Sequence, residues 1–380
     1  MPADRAARRV RTIFLVWRDT RHPDGGGSEL YVERMASWLA ANGHDVTIVC
    51  AAHPNAPRDE IREGVRFRRR GGRLTVYARA LAFLLTRAGR RADVVVDVQN
   101  GIPFFSALVR RRPVFVLVHH VHREQWQIIY PGWPGRVGWW LESRVAPRVY
   151  RRCPYVTVSD ATVSDLAELG VAPTRIRVVR NGIDLPQPSG GGPRSARPTV
   201  CVLSRLVPHK QIEHALQAMA RLQSRLPGLR LEVIGDGWWR PNLEEHARQL
   251  GVADIVRFHG HVDNRTRDAV LNRAWVLLAP SVKEGWGIAI VEAAAHGLPA
   301  VAYLSGGGVR ESILNGETGL LADGFDDLVA ATARLLTDDQ LRTRMGEAAR
   351  QRATEFDWPS SAAKLRELLE VEIEWDQRLP

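Results

Sequence analysis

Glu284 and Glu292, with seven residues between them, are the pair in this sequence best placed to do chemistry together. Glu284 follows a short apolar run, 275–279, through Pro280 and Ser281, so it belongs in a loop leaving a strand. Glu292 lies in a predicted helix over 287–296, among Ile288, Ala289, Ile290, Val291, Ala293, Ala294 and Ala295. A carboxylate in such surroundings is costly unless something bonds to it. A structural salt bridge would serve, and so would a ribose diol, whose two hydroxyls can donate to both carboxylate oxygens. Glu284 would then face the far end of the same ligand. The amides of Gly287 and Ile288 open the helix and suit an anion.

Two cations stand in a second loop. Arg205 follows the strand-like run 200–203, and Lys210 is expected to begin the next helix, 211–226. Such a pair suits a pyrophosphate, the Arg as a fork and the Lys as a point charge. Only Lys210, Lys283 and Lys364 are lysines, which makes the placement of Lys210 pointed. Gly235 ends a further strand in a compact turn, Ile234-Gly235-Asp236-Gly237, that admits a ligand closely.

In the first half, Gly25, Gly26 and Gly27 lie between a strand, 12–17, and a helix, 28–41, beginning with Ser28 and Glu29. Glycines there let backbone amides approach an anion at a helix start. The run is not a full G-x-G-x-x-G, and no acidic ribose partner stands at the expected distance, which disfavours a nicotinamide cofactor. His119 ends the apolar run 114–118, where an imidazole can hydrogen-bond a hydroxyl or move a proton. His120 and His122 follow closely. Neighbouring side chains of an extended segment point apart, which weakens a metal reading and leaves core or supporting roles open. Glu29, His120 and Trp126 stand beside these loops as further candidate contacts.

The elements that must position these groups alternate throughout. Predicted strands at 12–17, 45–50, 94–98, 114–118 and 155–158 fill the first half, and 178–179 with the Asn181-Gly182 turn closes it. A Pro/Gly/Ser-rich stretch, 185–198, reads as a flexible linker. Strands at 200–203, 231–234, 256–259, 275–279 and 299–303 then alternate with helices at 211–226, 241–250, 264–273 and 287–296. The tail is helical over 326–337, 339–353 and 360–374. This grammar predicts two parallel α/β sheets, two Rossmann-like domains whose ligands meet strand C-termini facing a cleft. The expected boundaries are 1–185, a linker 186–198, 199–358, and a final segment 359–380.

At 380 residues the chain exceeds one ordinary core, and 45% hydrophobic with 25% charged content is globular. Apolar runs are too short to cross a membrane, and no cleavable leader is evident, so a cytoplasmic protein is expected. Cys50, Cys153 and Cys201 read as reduced core thiols. The net charge of +11 is almost all arginine. Clusters at Arg66, Arg68, Arg69, Arg70 and Arg73, at Arg110–Arg112, and at Arg144, Arg148, Arg151 and Arg152 all lie in the first half. They suit an anionic membrane or a phosphorylated ligand, or are solvated surface; no nucleic-acid signature accompanies them, so no nucleic-acid partner is expected. Trp126, Tyr130, Trp133, Arg136, Trp139 and Trp140 would dock a membrane, stack on sugars, or form an aromatic lid.

Taken together, the E-x7-E pair, Gly26-Gly27, His119, the segment Asn181–Asp184, Arg205 with Lys210, Pro280-Ser281, Gly306–Gly308 with Glu311, Asn315-Gly316 and Thr318–Leu320 resemble, in order and spacing, the retaining GT-B glycosyltransferases of family 4. The resemblance covers nearly the whole chain. It implies a nucleotide-sugar donor in the C-terminal domain. Arg205 and Lys210 would hold the diphosphate, with Gly27 helping across the cleft. Glu292 would hold the ribose, and Glu284 with the Gly287 and Ile288 amides the sugar. A sugar or lipid-linked acceptor would sit near the Gly-rich loop and His119, where Glu29, His120 and Trp126 are read as acceptor-binding, and the last helix would return to the first domain. Trp286 stands where many relatives carry Phe and is expected to shape the sugar pocket. No Asp-x-Asp triplet occurs, so cations are expected in place of a metal, with no cofactor. UDP-hexose is the first expectation for the donor and GDP-mannose the second; an envelope glycolipid or polysaccharide precursor is the expected acceptor, with a small metabolite as alternative. A GT-B sugar-nucleotide epimerase and a non-catalytic basic binding protein are the rival readings.

Overall fold

A computed structural model describes residues 9–110, 113–186 and 193–378. Arg111, Arg112 and part of the predicted linker lie outside them. The chain forms two compact units: Met1–Gly182 with Trp358–Pro380, and Ile183–Asp357.

The first unit is built on an eight-stranded sheet. Its strands are β1 (Arg11–Leu15), β2 (Asp45–Cys50), β3 (Asp59–Arg62), β4 (Val65–Arg69), β5 (Val94–Gln99), β6 (Val114–Val118), β7 (Tyr155–Thr157) and β8 (Ile176–Val178), in the order β3-β4-β2-β1-β5-β6-β7-β8. Only β3 runs antiparallel, and it pairs with β4 alone at one edge. β5 and β6 are buried along their whole lengths, and both read as nearly unbroken apolar runs, as strands covered on both faces must. Asp97 interrupts β5 and is fully buried. Its carboxylate is satisfied by the amides of Phe104 and Ser106 and the hydroxyls of Ser106 and Tyr150.

Four helices matter for the first unit's surface: α1 (Gly27–Ala41), α2 (Thr75–Leu85), α3 (Arg123–Ile129) and α4 (Trp133–Trp140). α2 to α4 and the β3–β4 hairpin add to the elements expected from the sequence. α4 runs into a π-helical turn, Leu141–Val145, and then a single α-helical turn, Ala146–Val149. α5 (Asp160–Glu168) carries a Ser159 cap whose hydroxyl accepts the Thr162 amide.

The second unit carries a six-stranded, wholly parallel sheet of β9 (Thr199–Leu203), β10 (Arg230–Ile234), β11 (Val256–Gly260), β12 (Val276–Ala279), β13 (Ala300–Tyr303) and β14 (Gly319–Ala322). Its order is β11-β10-β9-β12-β13-β14. That is the doubly wound order, in which chain direction across the sheet reverses between the first and fourth strands. Its helices are α6 (Ile212–Leu222), α7 (Arg240–Gln249), α8 (Asn264–Arg273), α9 (Ile288–Ala295), α10 (Phe325–Thr337) and α11 (Asp339–Ala353). The last helix, α12 (Trp358–Gln377), belongs to the first unit and packs on α1. It buries Trp358, Ala362, Leu365, Leu369 and Ile373, a stripe at helical spacing.

The predicted linker is not free along its length. Arg194 donates to the carbonyls of Leu271, Asn272, Ala274, His296 and Gly297, and the Ser195 amide donates to Arg273. One guanidinium thereby satisfies the carbonyls that end α8 and α9. The cysteines are buried, as expected.

Candidate functional site

The sheet order of the second unit selects the place to look. Loops after β9 and β12 flank the switch point, where open parallel sheets bind their ligands. There the Lys210 ammonium lies 2.5 Å from a Glu284 carboxylate oxygen, and the same oxygen accepts the Ser281 hydroxyl at 2.7 Å. Backbone bonding fixes both loops: the Val282 amide donates to the His209 carbonyl, joining them directly. Lys210 does not begin a helix. It ends a 3-10 turn, Pro208–Lys210, and α6 starts only after Gln211, whose φ of 47° turns the chain. Arg205 lies in the same loop two residues beyond β9, half-buried.

A second clamp holds the Glu284 loop. The Glu284 amide donates to Gly306 and its carbonyl accepts from Gly308. A Cβ on Gly308 would stand 2.0 Å from the Gly285 carbonyl oxygen, so only glycine lets the two loops approach. Gly287 caps α9 at a φ of 91°, and its position at the helix start directs the first amides of α9 toward the loop. Gly235 follows β10, and its amide donates to the Gly260 carbonyl. Trp286 departs from expectation. It is wholly buried, edge-on to Phe356 at 4.9 Å between ring centres, and therefore packs the core rather than shaping a pocket by contact.

Glu292 projects from α9 and meets Arg267 of α8 at 3.4 Å. Burial pushes its carboxyl up, the Arg267 guanidinium pulls it back, and Asp184 and Asp268 add to the rise. Arg267 also holds Asp268 at 2.9 Å, and Asp268 lies 3.5 Å from His296. Arg267 thus balances the Glu292 charge at one oxygen, the structural salt bridge that the sequence left open as one alternative. Arg267 carried no motif in the sequence, because its partner stands twenty-five positions away on another helix.

In the first unit the glycine loop sits at the corresponding switch point, between β1 and β5. Glu29 is fully buried. It accepts the Gly26 amide at 2.8 Å and the Arg18 guanidinium at 3.0 Å, and the Asn100 amide reaches it at 3.4 Å. Gly26 spends its amide on Glu29, and the Glu29 carboxylate is taken up by that amide, by Arg18 and by Asn100.

His119 follows β6 and lies beneath Tyr31, ring centres 5.2 Å apart. Its carbonyl accepts the Thr162 hydroxyl, and its Nε2 is buried with no partner among the described residues. Burial takes the imidazole down to about 4, so it is neutral near pH 7. A neutral ring offers a hydrogen bond, not a charge. His120 bonds Gln125 at 2.9 Å. Trp126 donates its indole N–H to Glu142 at 2.6 Å, and Glu142 also takes the amide and ring nitrogen of His122. Trp126 is thus held as a support. Glu142, buried in the π-helical turn, organises the whole segment, and nothing in its sequence context marked it.

The basic clusters divide. Arg69 is entirely buried, bonded to Asp19 at 2.6 Å and Glu60 at 2.9 Å, and Asp19 also pairs His53 at 2.8 Å. It is a structural charge, not solvated surface. Arg144, Arg148, Arg151 and Arg152 are exposed.

Comparison with known proteins finds relatives across nearly the whole chain. The model of the "Glycosyltransferase Family 4" domain matches residues 25–187, and that of "Glycosyl transferases group 1" matches 188–352. The chain is 30% identical over 403 residues to the MMP alpha-(1->4)-mannosyltransferase of Mycolicibacterium hassiacum, covering 93% of this chain and 96% of that protein. It is 29% identical over 375 residues to the glycogen synthase of Mycobacterium tuberculosis, covering 89% of each. Among solved structures, sucrose-phosphate synthase from Thermosynechococcus elongatus superposes with a TM-score of 0.80 at 21% identity, over 95% of this chain and 98% of that one. Anabaena Alr3699/HepE in complex with UDP-glucose gives 0.76 at 19% identity, over 96% and 100%.

Proposed function

Because the chain belongs to glycosyltransferase family 4 it is a sugar transferase, and we propose that it moves a hexose from a nucleoside-diphosphate sugar to a hydroxyl acceptor with retention of configuration. The carrying observation is the Lys210–Glu284 pair at the second sheet's switch point, in the loop that leads into the helix of Glu292.

In this reading Arg205 and Lys210 take the diphosphate, Glu292 the ribose hydroxyls, and Glu284 with the first amides of α9 the sugar. The bond from the anomeric carbon to the leaving phosphate oxygen breaks, and negative charge grows on that phosphate. Fixed cations stabilise the growing charge without reorganising. Lys210, neutralised by Glu284 before the donor arrives, shares its ammonium with the phosphate afterwards. The acceptor oxygen bonds the anomeric carbon on the face the phosphate leaves, and its proton passes to a phosphate oxygen. His119, neutral, supplies a hydrogen bond to a hydroxyl. No cofactor or metal enters this scheme, since the two cations carry the charge.

UDP-hexose is the first choice of donor, supported by the UDP-glucose held by Alr3699/HepE, and GDP-mannose is the second. The mannosyltransferase relative supports that second choice. For the acceptor we favour an envelope glycolipid or polysaccharide precursor, met in the cytoplasm at the inner face of the membrane, because the first unit combines exposed arginine with exposed tryptophan.

A thermal-shift series with UDP, GDP, ADP and their sugars, on the wild type and on Arg205→Ala, tests the donor. A ligand that binds only the folded state raises the melting temperature by mass action. One nucleoside diphosphate should stabilise the wild type and lose its effect in the variant. No stabilisation at millimolar concentration would overturn the donor site.

A further inference from the structure

α4 is built inside out for a helix on a water-facing surface. Its small residues point inward: Gly135 and Gly138 are buried, and a Cβ on Gly138 would stand 2.3 Å from the Trp126 ring. Its large apolar residues point outward, with Trp133 at 74%, Val137 at 44% and Trp140 at 56% of full exposure. Ile128 of α3 is exposed nearby in sequence at 40%. A soluble helix places these residues the other way round. Gly138 is forced by the Trp126 ring, whose indole Glu142 holds in place, and Gly135 by the carbonyl oxygens of Tyr130 and Trp126. Nothing among the described residues forces Trp133 and Trp140 outward.

The stripe continues. Trp133, Val137, Trp140, Arg144 and Arg148 recur at steps of three and four along α4, the π-helical turn and the turn after it, all exposed. A depression of about 470 Å³ lies beside Trp140, lined also by Arg144, Val145, Arg148 and Val149. Arg136, Arg151 and Arg152 are exposed too, and among the described residues none of the five arginines Arg136, Arg144, Arg148, Arg151 and Arg152 is in an ion pair with an acid. Indole rings settle at the boundary between acyl chains and headgroups, and arginine meets phosphate there.

We propose that this face, Trp133, Val137 and Trp140 with Arg144 and Arg148, docks the protein on an anionic phospholipid bilayer. The occupant follows from charge and form together. Exposed cations favour an anionic surface, and a row of exposed aromatic and aliphatic side chains beside them favours one with an apolar layer beneath the charge. The proposal extends the acceptor reading above but is tested without either substrate.

The test is co-sedimentation of the full chain with vesicles of phosphatidylcholine alone and of phosphatidylcholine with phosphatidylglycerol. Binding should need the anionic lipid, weaken with salt, and fall at least tenfold in Trp133→Ser/Trp140→Ser and in Arg144→Gln/Arg148→Gln. Both variants should keep the wild-type melting temperature and its shift with nucleoside diphosphate. The proposal is overturned if the wild type stays in the supernatant, or if either double variant binds as the wild type does. It is equally overturned if light scattering shows a dimer that Trp133→Ser/Trp140→Ser dissociates, which would give the face to a second copy. A lost nucleotide shift with retained vesicle binding would instead sink the donor reading and leave this one standing.

Discussion

Burial sets the protonation of the groups on which the candidate site depends. His119 is held down to about 4 by burial, against an ordinary value near 6.5. Its neutral form therefore stabilises the fold fully above about pH 6.5. That contribution shrinks below 6.5, as the unfolded chain takes the proton first, and is gone as pH passes about 4. We expect urea unfolding of His119→Gln to lose less stability between pH 7 and pH 5 than the wild type does, by about 1–3 kcal/mol. Equal slopes would mean the ring is not desolvated. Glu292 runs the other way. Its carboxyl is raised by burial and opposed by Arg267, so nucleotide affinity should fall as acid protonates it. Arg267→Met removes the opposing charge and should move that fall to higher pH. Calorimetric titration of nucleoside diphosphate between pH 5 and 8 reads both effects. Glu292→Gln, which keeps shape and loses charge, should bind roughly tenfold more weakly at pH 7.5.

At the scale of elements, loops are fixed by backbone contact more than by side chains. The Glu284 loop is held to the Gly306–Gly308 loop by paired amides and by an approach that no Cβ survives. Gly308→Ala meets backbone oxygen, which cannot swing away. It should cost about 2 kcal/mol or more and weaken nucleotide binding as well, measured by denaturant unfolding and titration on one preparation. Arg194 does the same work for helix ends. Arg194→Met strips five carbonyls of their donor, and a loss of about 2–3 kcal/mol is expected, with nucleotide affinity little changed. A stability change below about 0.5 kcal/mol would show that water replaces the guanidinium at no cost.

For the whole molecule, each unit is an open sheet with its candidate groups gathered at its own switch point, and α12 completes the first unit by covering α1. Deleting 358–380 would uncover the face of α1 that α12 packs against, and the truncated chain should be insoluble or unfold at markedly lower temperature. The transfer scheme uses cations of the chain where other enzymes use a metal. Sugar transfer should accordingly survive exhaustive treatment with EDTA; activity restored only by added divalent cation would contradict the scheme.

Much of this was legible before any coordinates. Alternating apolar runs located the parallel sheets, because strands buried on both faces leave an unbroken apolar mark. The motifs put Glu284 in the loop after β12, Glu292 within α9, Gly287 at its start and His119 just past β6, as the structure has them, while Lys210 falls in a 3-10 turn before α6 rather than at its start. The β3–β4 hairpin was within reach too: Val65 to Arg69 alternates beyond a Glu63-Gly64 turn with φ of 49° and 77°. What only the tertiary structure decided are the partners. Arg267 with Glu292, Glu142 with Trp126, Glu29 with Gly26 and Arg18, and Arg69 with Asp19 are pairs set by packing. So are the burial of Trp286 and the outward face of α4. A sequence states which groups a chain carries; the fold determines which of them lose water together, and that loss decides which charges are paired and which are left for a ligand.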